Sequence, residues 1–552
     1  MARLLLSGAL LALVSGPAVA QFGVPADPCP LGTAEARLRG AVVEAALFTN
    51  GNLFFGNQTT NGDGYLVPLG QTGPNGGPVS PLYMANLWIG GIVEGEVRTA
   101  ATRYSGFQFR PGLTGSDGVP PSPSGCAAAD RIWVVSRDDV LAYLDGAPPT
   151  ADLAEWPVAL GAPVLDGDGV PGNYDLEAGD QPAVHGDVTA FWAMTDAASG
   201  ASYYRLPLGV DVTVEAYAVR QAQLGAHTFY RLTVTNRNAV AIEGAYVGLF
   251  LDADLGNASD DYVGTDTTAQ MLYFYNALED DRVYGVPPAF GAVLAEGPVG
   301  LPNGLDDDGD GDTDETGERL RITHIPAIWK VDPTGSPGTV SEIYNRLQGL
   351  FNDGTPIRAR GDGYGSQAGA PITRFTMFGD PVTGVGWSEE NNDGNGTHDG
   401  MGQRWGMIPV GPFRLLPDSS ATVTFALVFA QGADRHDSIR RLRYEARGVR
   451  AAVLGGDLDP ARVVGREPPP TPLVLRLPSP NPFRGSTALR LDGPDGIQAR
   501  VTVYDALGRR VAETEVAAGS SVDLGAGLTP GVYVVRVAGF GFDEALTVTK
   551  LP

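Results

Sequence analysis

SYYRLPLGVDVTVEAYAV (Ser202–Val219), HTFYRLTVTN (His227–Asn236) and GAYVGLFLDADLG (Gly244–Gly256) set Val, Tyr, Phe and Thr at alternating positions. A period of two sends successive side chains to opposite faces of a strand, so these runs read as β-strands with a face turned to a core. FWAMTD (Phe191–Asp196) and the alternation returning at Ser420–Phe429 belong to the same set. Around them lie Gly-, Pro-, Asn- and Asp-rich turns, and 75 glycines with 43 prolines leave little room for helix interiors. The fold class is therefore all-β: a multi-domain β-sandwich with long acidic loops.

One helix is expected. Over Asp437–Leu454 the residues Ile439, Leu442, Ala446, Val449 and Val453 recur at spacings of three and four, with arginines 440, 441, 443, 447 and 450 on or beside the other faces. Asp437 or Ser438 is placed to cap its start. The amphipathic stripe fits packing on the sandwich better than an anionic partner.

Length 552 suits about three to four domains. Residues 1–20 read as a signal peptide, with Arg3 as positive flank, an apolar run Leu4–Val14 too short to span a bilayer, and a small-residue cleavage site at Ala18, Val19 and Ala20. No cysteine lies at that site, which argues against a lipoprotein, and no later run of about eighteen apolar residues occurs, so no transmembrane segment is expected in the mature chain. Residues 21–164 form an N-terminal β region with strands such as PLYMANLWIGGIV and RIWVVS, where Trp88 and Trp133 suit buried rings better than a sugar platform. Residues 165–465 form a central β-sandwich region, 466–475 a Pro-rich linker (REPPPTP, Arg466–Pro472), and 476–552 a small terminal domain. Cys29 and Cys126 are an even count in an exported chain, which suits a disulfide; their proximity is open at this level.

The terminal domain carries PSPNPFRGST (Pro478–Thr487), RVTVYDALGRRV (Arg500–Val511) and LTPGVYVVRV (Leu528–Val537). Its alternation around Val501 and Val503, the turn Asp505–Gly508 and the strand Val532–Val537 fit an immunoglobulin-like unit. Motif by motif it resembles the type A C-terminal sorting domain of type IX secretion cargo in Bacteroidota. The matching positions are Pro480, Asn481, Pro482 and Phe483, the turn Gly508 and Arg509, Gly531 and Tyr533 of the last hairpin, and Lys550. The resemblance implies recognition by the type IX secretion machinery at the outer membrane, removal of this domain, and a product secreted or held on the outer cell surface. The ending TVTKLP has a single basic residue, which leaves processing efficiency open. A second stretch, DGDGVPGNYDLEAGDQPAVHGD (Asp166–Asp187) followed by FWAMTD and GLFLDADLGNASDDYVGTD (Gly248–Asp266), resembles an uncharacterised family of secreted Bacteroidota proteins over much of Asn50–Val453 and implies no catalytic residue.

A net charge of −26, from 64 acidic and 38 basic residues, repels nucleic acid and anionic lipid and favours cations; solubility is an equally simple reading. The strongest chemical signal is calcium. Asp306, Asp308, Asp310 and Asp314 stand at positions one, three, five and nine of a loop with Gly311 at six, the spacing by which an EF-hand-like loop wraps an ion. Position twelve is Gly317, so the bidentate acid of an EF-hand is missing, and the loop looks more like the short aspartate loops of thrombospondin type 3 repeats. Asn391, Asp393, Asn395 and Asp399 repeat the pattern with Gly396 at six. Two weaker sets are Asp166, Asp168 and Asp175, and Asp252, Asp254, Asn257, Asp260 and Asp261. The bland alternative throughout is a solvated turn, which prefers the same residues.

Enzyme signatures fail: none of the five histidines (185, 227, 324, 398, 436) precedes Glu, GxSxG is absent, and neither lysine follows a glycine. Gly167, Gly169 and Gly172 spell GxGxxG, but Asp168 would repel a pyrophosphate, so a turn is expected. The favoured reading is an exported, non-catalytic, calcium-stabilised β protein acting in adhesion, matrix or capture of an unknown extracellular ligand. The alternative is a secreted hydrolase of polysaccharide or protein with the same loops in a structural role, for which Glu389 and Glu390 beside Trp387 are the least poor acid pair.

Overall fold

The computed structural model describes residues 29–54, 64–101, 108–115, 118–198, 206–221, 223–300, 306, 311–313, 317–328, 334–364, 369–463, 474–476, 481–492, 498–539 and 542–552. The signal peptide, residues 466–473 of the expected linker and Pro480 lie outside them, whereas Val474–Arg476, expected at the linker's end, is a strand paired with Thr487–Asp492.

Two nine-stranded sheets face each other. The first runs in the order Glu35–Arg39, Glu44–Phe48, Asn52–Leu53, Leu82–Val93, Ile242–Ala253, Arg404–Leu415, Ala327–Ile328, with Tyr65–Leu66 and Glu96–Ala101 attached to the side of this path. The second runs Asp261–Asp266, Met271–Asn276, Ala289–Glu296, Ser420–Ala430, Thr228–Asn236, Val210–Ala218, Val188–Thr195, Arg110–Pro111, with Trp133–Ser136 also on Val188–Thr195. All the strand pairings within these sheets are antiparallel, and the register is regular along Val188–Thr195, Val210–Ala218 and Thr228–Asn236 but shifts within Ile242–Ala253. Leu87, Val247, Leu249 and Leu251 of the first sheet meet Val212, Val214, Leu232, Phe425 and Leu427 of the second in one continuous core.

The boundary expected at 164/165 does not separate two cores. Leu82–Val93 hydrogen-bonds along Ile242–Ala253, and Trp133–Ser136 along Val188–Thr195, so segments 21–164 and 165–465 supply strands to both sheets. Composition shifts mark where the chain turns; they carry no information about which distant strand completes a ladder.

The outer faces are covered as well, which is why strands such as MLYFYN are buried at every position rather than every second one. On the second sheet lies the helix Arg435–Leu454, which seats Ile439, Leu442, Ala446, Val449 and Ala452 on Tyr217, Phe229, Tyr273, Tyr275 and Val428. Each large apolar side chain on that stripe contributes about 1.5 to 3 kcal/mol by leaving water. The helix starts at Arg435, two residues ahead of the expected start, with Asp434 rather than Asp437 or Ser438 as cap, accepting from the Asp437 amide at 2.7 Å. On the first sheet lies Val340–Leu347, whose Ile343, Tyr344 and Leu347 pack on Trp88, Tyr246 and Phe250.

The expectation of one helix was too few. Pro123–Ala129, Arg137–Leu144, Ala151–Ala154 and Val340–Leu347 are helical, each too short to show a period of 3.6. The readable signals were local capping boxes, Ser136 with Asp139 and Thr339 with Glu342. Cys29 and Cys126 are disulfide-bonded across a sequence separation of 97, tying the start of the described chain to Pro123–Ala129.

The described residues from Val474 onward form a separate sandwich of a three-stranded and a four-stranded sheet. Its own core holds Phe483, Leu489, Leu491, Val501, Val503, Val535, Val537 and Val548. No described helix is long and apolar enough to cross a membrane.

Candidate metal centre

The loop 391–399 is closed on itself. Asn391, 7 % exposed, accepts from the Gly396 amide at 2.7 Å and donates to the carbonyls of Gly384 and Gly386, both at 3.0 Å. The Asp393 carboxylate accepts from the amides of Asn395 (2.8 Å) and Thr397 (3.2 Å) and from the Thr397 hydroxyl (2.8 Å). These donors, the Asn395 amide foremost, hold its pKa down to about 2. The side chain of Asn395 turns back to Asp393, and Asp399 accepts from the Gly400 amide at 2.8 Å. His398 is exposed at the loop surface. In the loop that begins at Asp306, that carboxylate accepts from the Gly311 amide at 3.1 Å, and Gly311 has the positive φ of 108° that position six requires. Asp308, Asp310 and Asp314 lie outside the described residues.

The loop between the paired strands Val164–Leu165 and Gln181–Pro182 gathers carboxylates differently from the sequence spacing. Asp166, Asp168 and Asp180 present oxygens within 4.8 Å of one another, the one such trio among the described residues. Asp175 instead accepts from the Ala178 amide at 3.0 Å. Asp180 was missed because it returns from the far side of the loop, outside any window that starts at Asp166. It is buried, accepts from the amides of Gly167 (2.8 Å) and Asp175 (2.7 Å), and is held below the usual carboxylate range by those bonds. Gly167 is required there: a Cβ would stand 2.1 Å from the Gly179 carbonyl oxygen. Gly169 and Gly172 are turn glycines with φ of 80°, so GxGxxG is a turn here. Arg462 braces the base of this loop through the carbonyls of Gly179 (2.7 Å) and Asp166 (2.7 Å).

The fourth set is inside the protein. Asp252 is the second-last residue of the strand Ile242–Ala253 of the first sheet, and Asp261 begins the strand Asp261–Asp266 of the second, opposite Asn276. The segment between them is the crossover from one sheet to the other, and Asp252, Asp260, Asp261 and Asn276 are all 3 % exposed or less. Asp281, absent from the sequence reading, joins them: it accepts from the amides of Val283 (2.8 Å), Tyr284 (2.6 Å) and Asn257 (3.2 Å). Gly256, at φ 72°, lets the backbone pass, since a Cβ would meet Asp281 Oδ1 at 2.3 Å. The Asn276 amide donates to Asp260 at 3.1 Å and to Asp281 at 3.4 Å, and Asn257 donates to Asp260 at 2.9 Å. Both carboxylate oxygens of Asp261 and Oδ1 of Asn276 are buried with no hydrogen-bond partner of normal geometry. Burial, then the charges of Asp254, Asp260 and Asp281, push the Asp261 carboxyl well above its usual range, against a weak contribution from the Leu255 backbone. A pocket of about 430 Å³ lined by Asn75, Ser80, Tyr83, Asp254 and Gly256 reaches this cluster from outside.

The acid pair considered for hydrolysis is otherwise engaged. Glu389 is fully buried and accepts from both ends of the Arg404 guanidinium and from the Val263 amide at 2.9 Å. Glu390 is paired with Arg435 and with His436 at 3.2 Å. Trp88, Trp133, Trp156, Trp192 and Trp387 are all buried. His227 and His324 are also buried, in structural contacts with Glu445 and with the Leu347 carbonyl.

No family model and no curated protein matches the chain. Among solved structures, a polysaccharide lyase aligns at 8 % identity and TM-score 0.18 over 63 % of this chain and 35 % of its own. Dimeric latent PorU from Porphyromonas gingivalis aligns at 13 % identity and TM-score 0.12 over 66 % of this chain and 31 % of its own. This chain thus spans about a third of the length of either, and scores this low carry no argument about its fold or activity.

Proposed function

We propose that the chain is an exported, non-catalytic β protein of the cell surface or medium, delivered by type IX secretion and acting by binding, with calcium stiffening its acidic loops. The observation that carries the reading is the self-contained terminal sandwich, in which the motif residues close the fold. Phe483, 1 % exposed, fills its core. Asn481 clasps the last strand by donating to the Thr547 carbonyl and accepting from the Thr549 amide, both at 2.9 Å. Gly508, at φ 75°, makes the turn in which Arg509 folds back on Asp505, and Tyr533 donates to the Thr529 carbonyl at 2.7 Å. Lys550 donates to the carbonyls of Gly525 (2.9 Å) and Leu528 (2.7 Å). A module with its own core can be recognised and removed without opening the larger sandwich, which is what a sorting domain requires. The sequestered acids Glu389 and Glu390 and the buried tryptophans support binding over hydrolysis.

The test is localisation of the full chain and of a version ending at residue 475, both made in a bacterium that has type IX machinery. The full chain is expected outside the cell with its terminal domain removed, and the shortened chain in the periplasm. Appearance of both outside, at equal amounts, would overturn the reading.

A further inference from the structure

The crossover cluster is a buried concentration of negative charge placed where the two sheets exchange the chain. Asp260, Asp261 and Asp281 have no ion pair among the described residues, and the positive charge that acts on Asp260 comes from Arg282, on the exposed surface. A carboxylate in a protein interior without hydrogen bonds costs several kcal/mol unless a cation or a proton neutralises it. Asp261 comes close to such a group, with neither oxygen in a hydrogen bond of normal geometry at zero exposure, and Asn276 directs a side-chain oxygen equally without such a partner from the neighbouring strand. Every donor at hand is oxygen, the chemistry that selects hard divalent cations.

We propose that Asp254, Asp260 and Asp261, with the side-chain oxygen of Asn276, form an internal calcium site reached through the Tyr83 pocket. The site staples the first sheet to the second at the crossover, because Asp254 follows the end of Ile242–Ala253 while Asp261 and Asn276 lie on paired strands of the other sheet. Asp281 and Asn257 are its supports. Asp281 receives the Asn257 amide and the Asn276 side chain, and Asn257 in turn holds Asp260, so the ligands are oriented from behind. No three of these carboxylates present oxygens within 4.8 Å of one another, so an ion with calcium–oxygen distances of about 2.3 to 2.6 Å would have to draw the side chains inward as it binds. The competing occupant is a proton on Asp261. This site stands on the buried cluster alone, and it holds or fails irrespective of the surface loops and of export.

The experiment uses the purified full chain, stripped with a chelator, dialysed against buffer with calcium, and measured for bound calcium by atomic emission. Terbium luminescence excited through tyrosine, with Tyr83→Phe as a control, reports on the same site. Asp261→Asn keeps the shape and removes the charge; it should lose one equivalent of calcium per chain and the Tyr83-dependent terbium signal while its near-UV circular dichroism stays native. If that variant does not fold, Asp254→Asn, at the pocket, takes its place with the same expected loss. An unchanged calcium count in a folded variant overturns the site, and an unchanged count with a raised melting temperature identifies the proton. Calcium bound only by the surface loops would survive both substitutions, so failure here and failure of the loops are read separately.

Discussion

Protonation of His324 should weaken the large sandwich in a defined pH window. The ring is 4 % exposed; its Nε2–H donates to the Leu347 carbonyl at the end of Val340–Leu347 at 2.5 Å, and Nδ1 accepts from the Thr323 hydroxyl at 2.9 Å. Gly349, with φ of 73°, lies so close that a Cβ there would stand 2.7 Å from the ring. Burial holds the imidazole down at about 4, helped by the charge of Arg374 and opposed by the Leu347 carbonyl. Between that value and the ordinary 6.5 the unfolded chain binds the proton and the folded chain does not. Stability is therefore complete above pH of about 6.5 and is lost as pH falls towards the folded value. A gap of about 2.5 units corresponds to about 3 kcal/mol. Residues 466–552 contain no tryptophan, so tryptophan fluorescence follows the large sandwich alone during denaturant unfolding. Midpoints should be compared between about pH 4 and pH 7 for the wild type and His324→Gln, whose amide replaces the Nε2 donor. The difference between the two curves removes the contribution of titrating carboxylates. The wild type should lose about 3 kcal/mol more than the variant across this window; parallel curves would refute the argument.

Arg404→Met strands the buried Glu389 and should cost about 3 to 5 kcal/mol, most of it recovered by adding Glu389→Met; a double variant as weak as the single one would contradict this. Replacing Cys29 and Cys126 by serine opens a closure of 97 residues and should lower stability by about 4 to 5 kcal/mol by chain entropy, read as a drop in denaturant midpoint under oxidising conditions. Asp393 should titrate near 2 by NMR; because its folded value is depressed, the amides of Asn395 and Thr397 keep their protection above the ordinary carboxylate range and lose it as pH falls through that value.

The sites were legible in proportion to how local they are. Asn391, Asp393 and Gly396 were found from spacing because a turn of nine residues is specified by residues within it. Asp180 and Asp281 were not, since each joins its neighbours by returning through folded chain rather than by counting forward. The cluster at Asp252–Asp261 looked irregular in sequence for the same reason: its members sit on strands of different sheets, and Asn276 enters only through the register Asp261↔Asn276.

By itself the sequence determined the strand identity of runs such as Val210–Ala218, the apolar stripe of the helix at Arg435–Leu454, and the separateness of the terminal sandwich. The first two follow from side chains a few residues apart choosing between a period of two and of 3.6, and the third from the proline-rich stretch Arg466–Pro472 that precedes it. Tertiary structure alone decided that residues 21–164 and 165–465 share two sheets, that Glu389 is locked to Arg404, and that Trp156, Trp192 and Trp387 are inside as well as the Trp88 and Trp133 expected there. Those outcomes rest on ladders and contacts between residues far apart in the chain. Their partners are chosen by which apolar faces close on each other, and no local pattern encodes that choice.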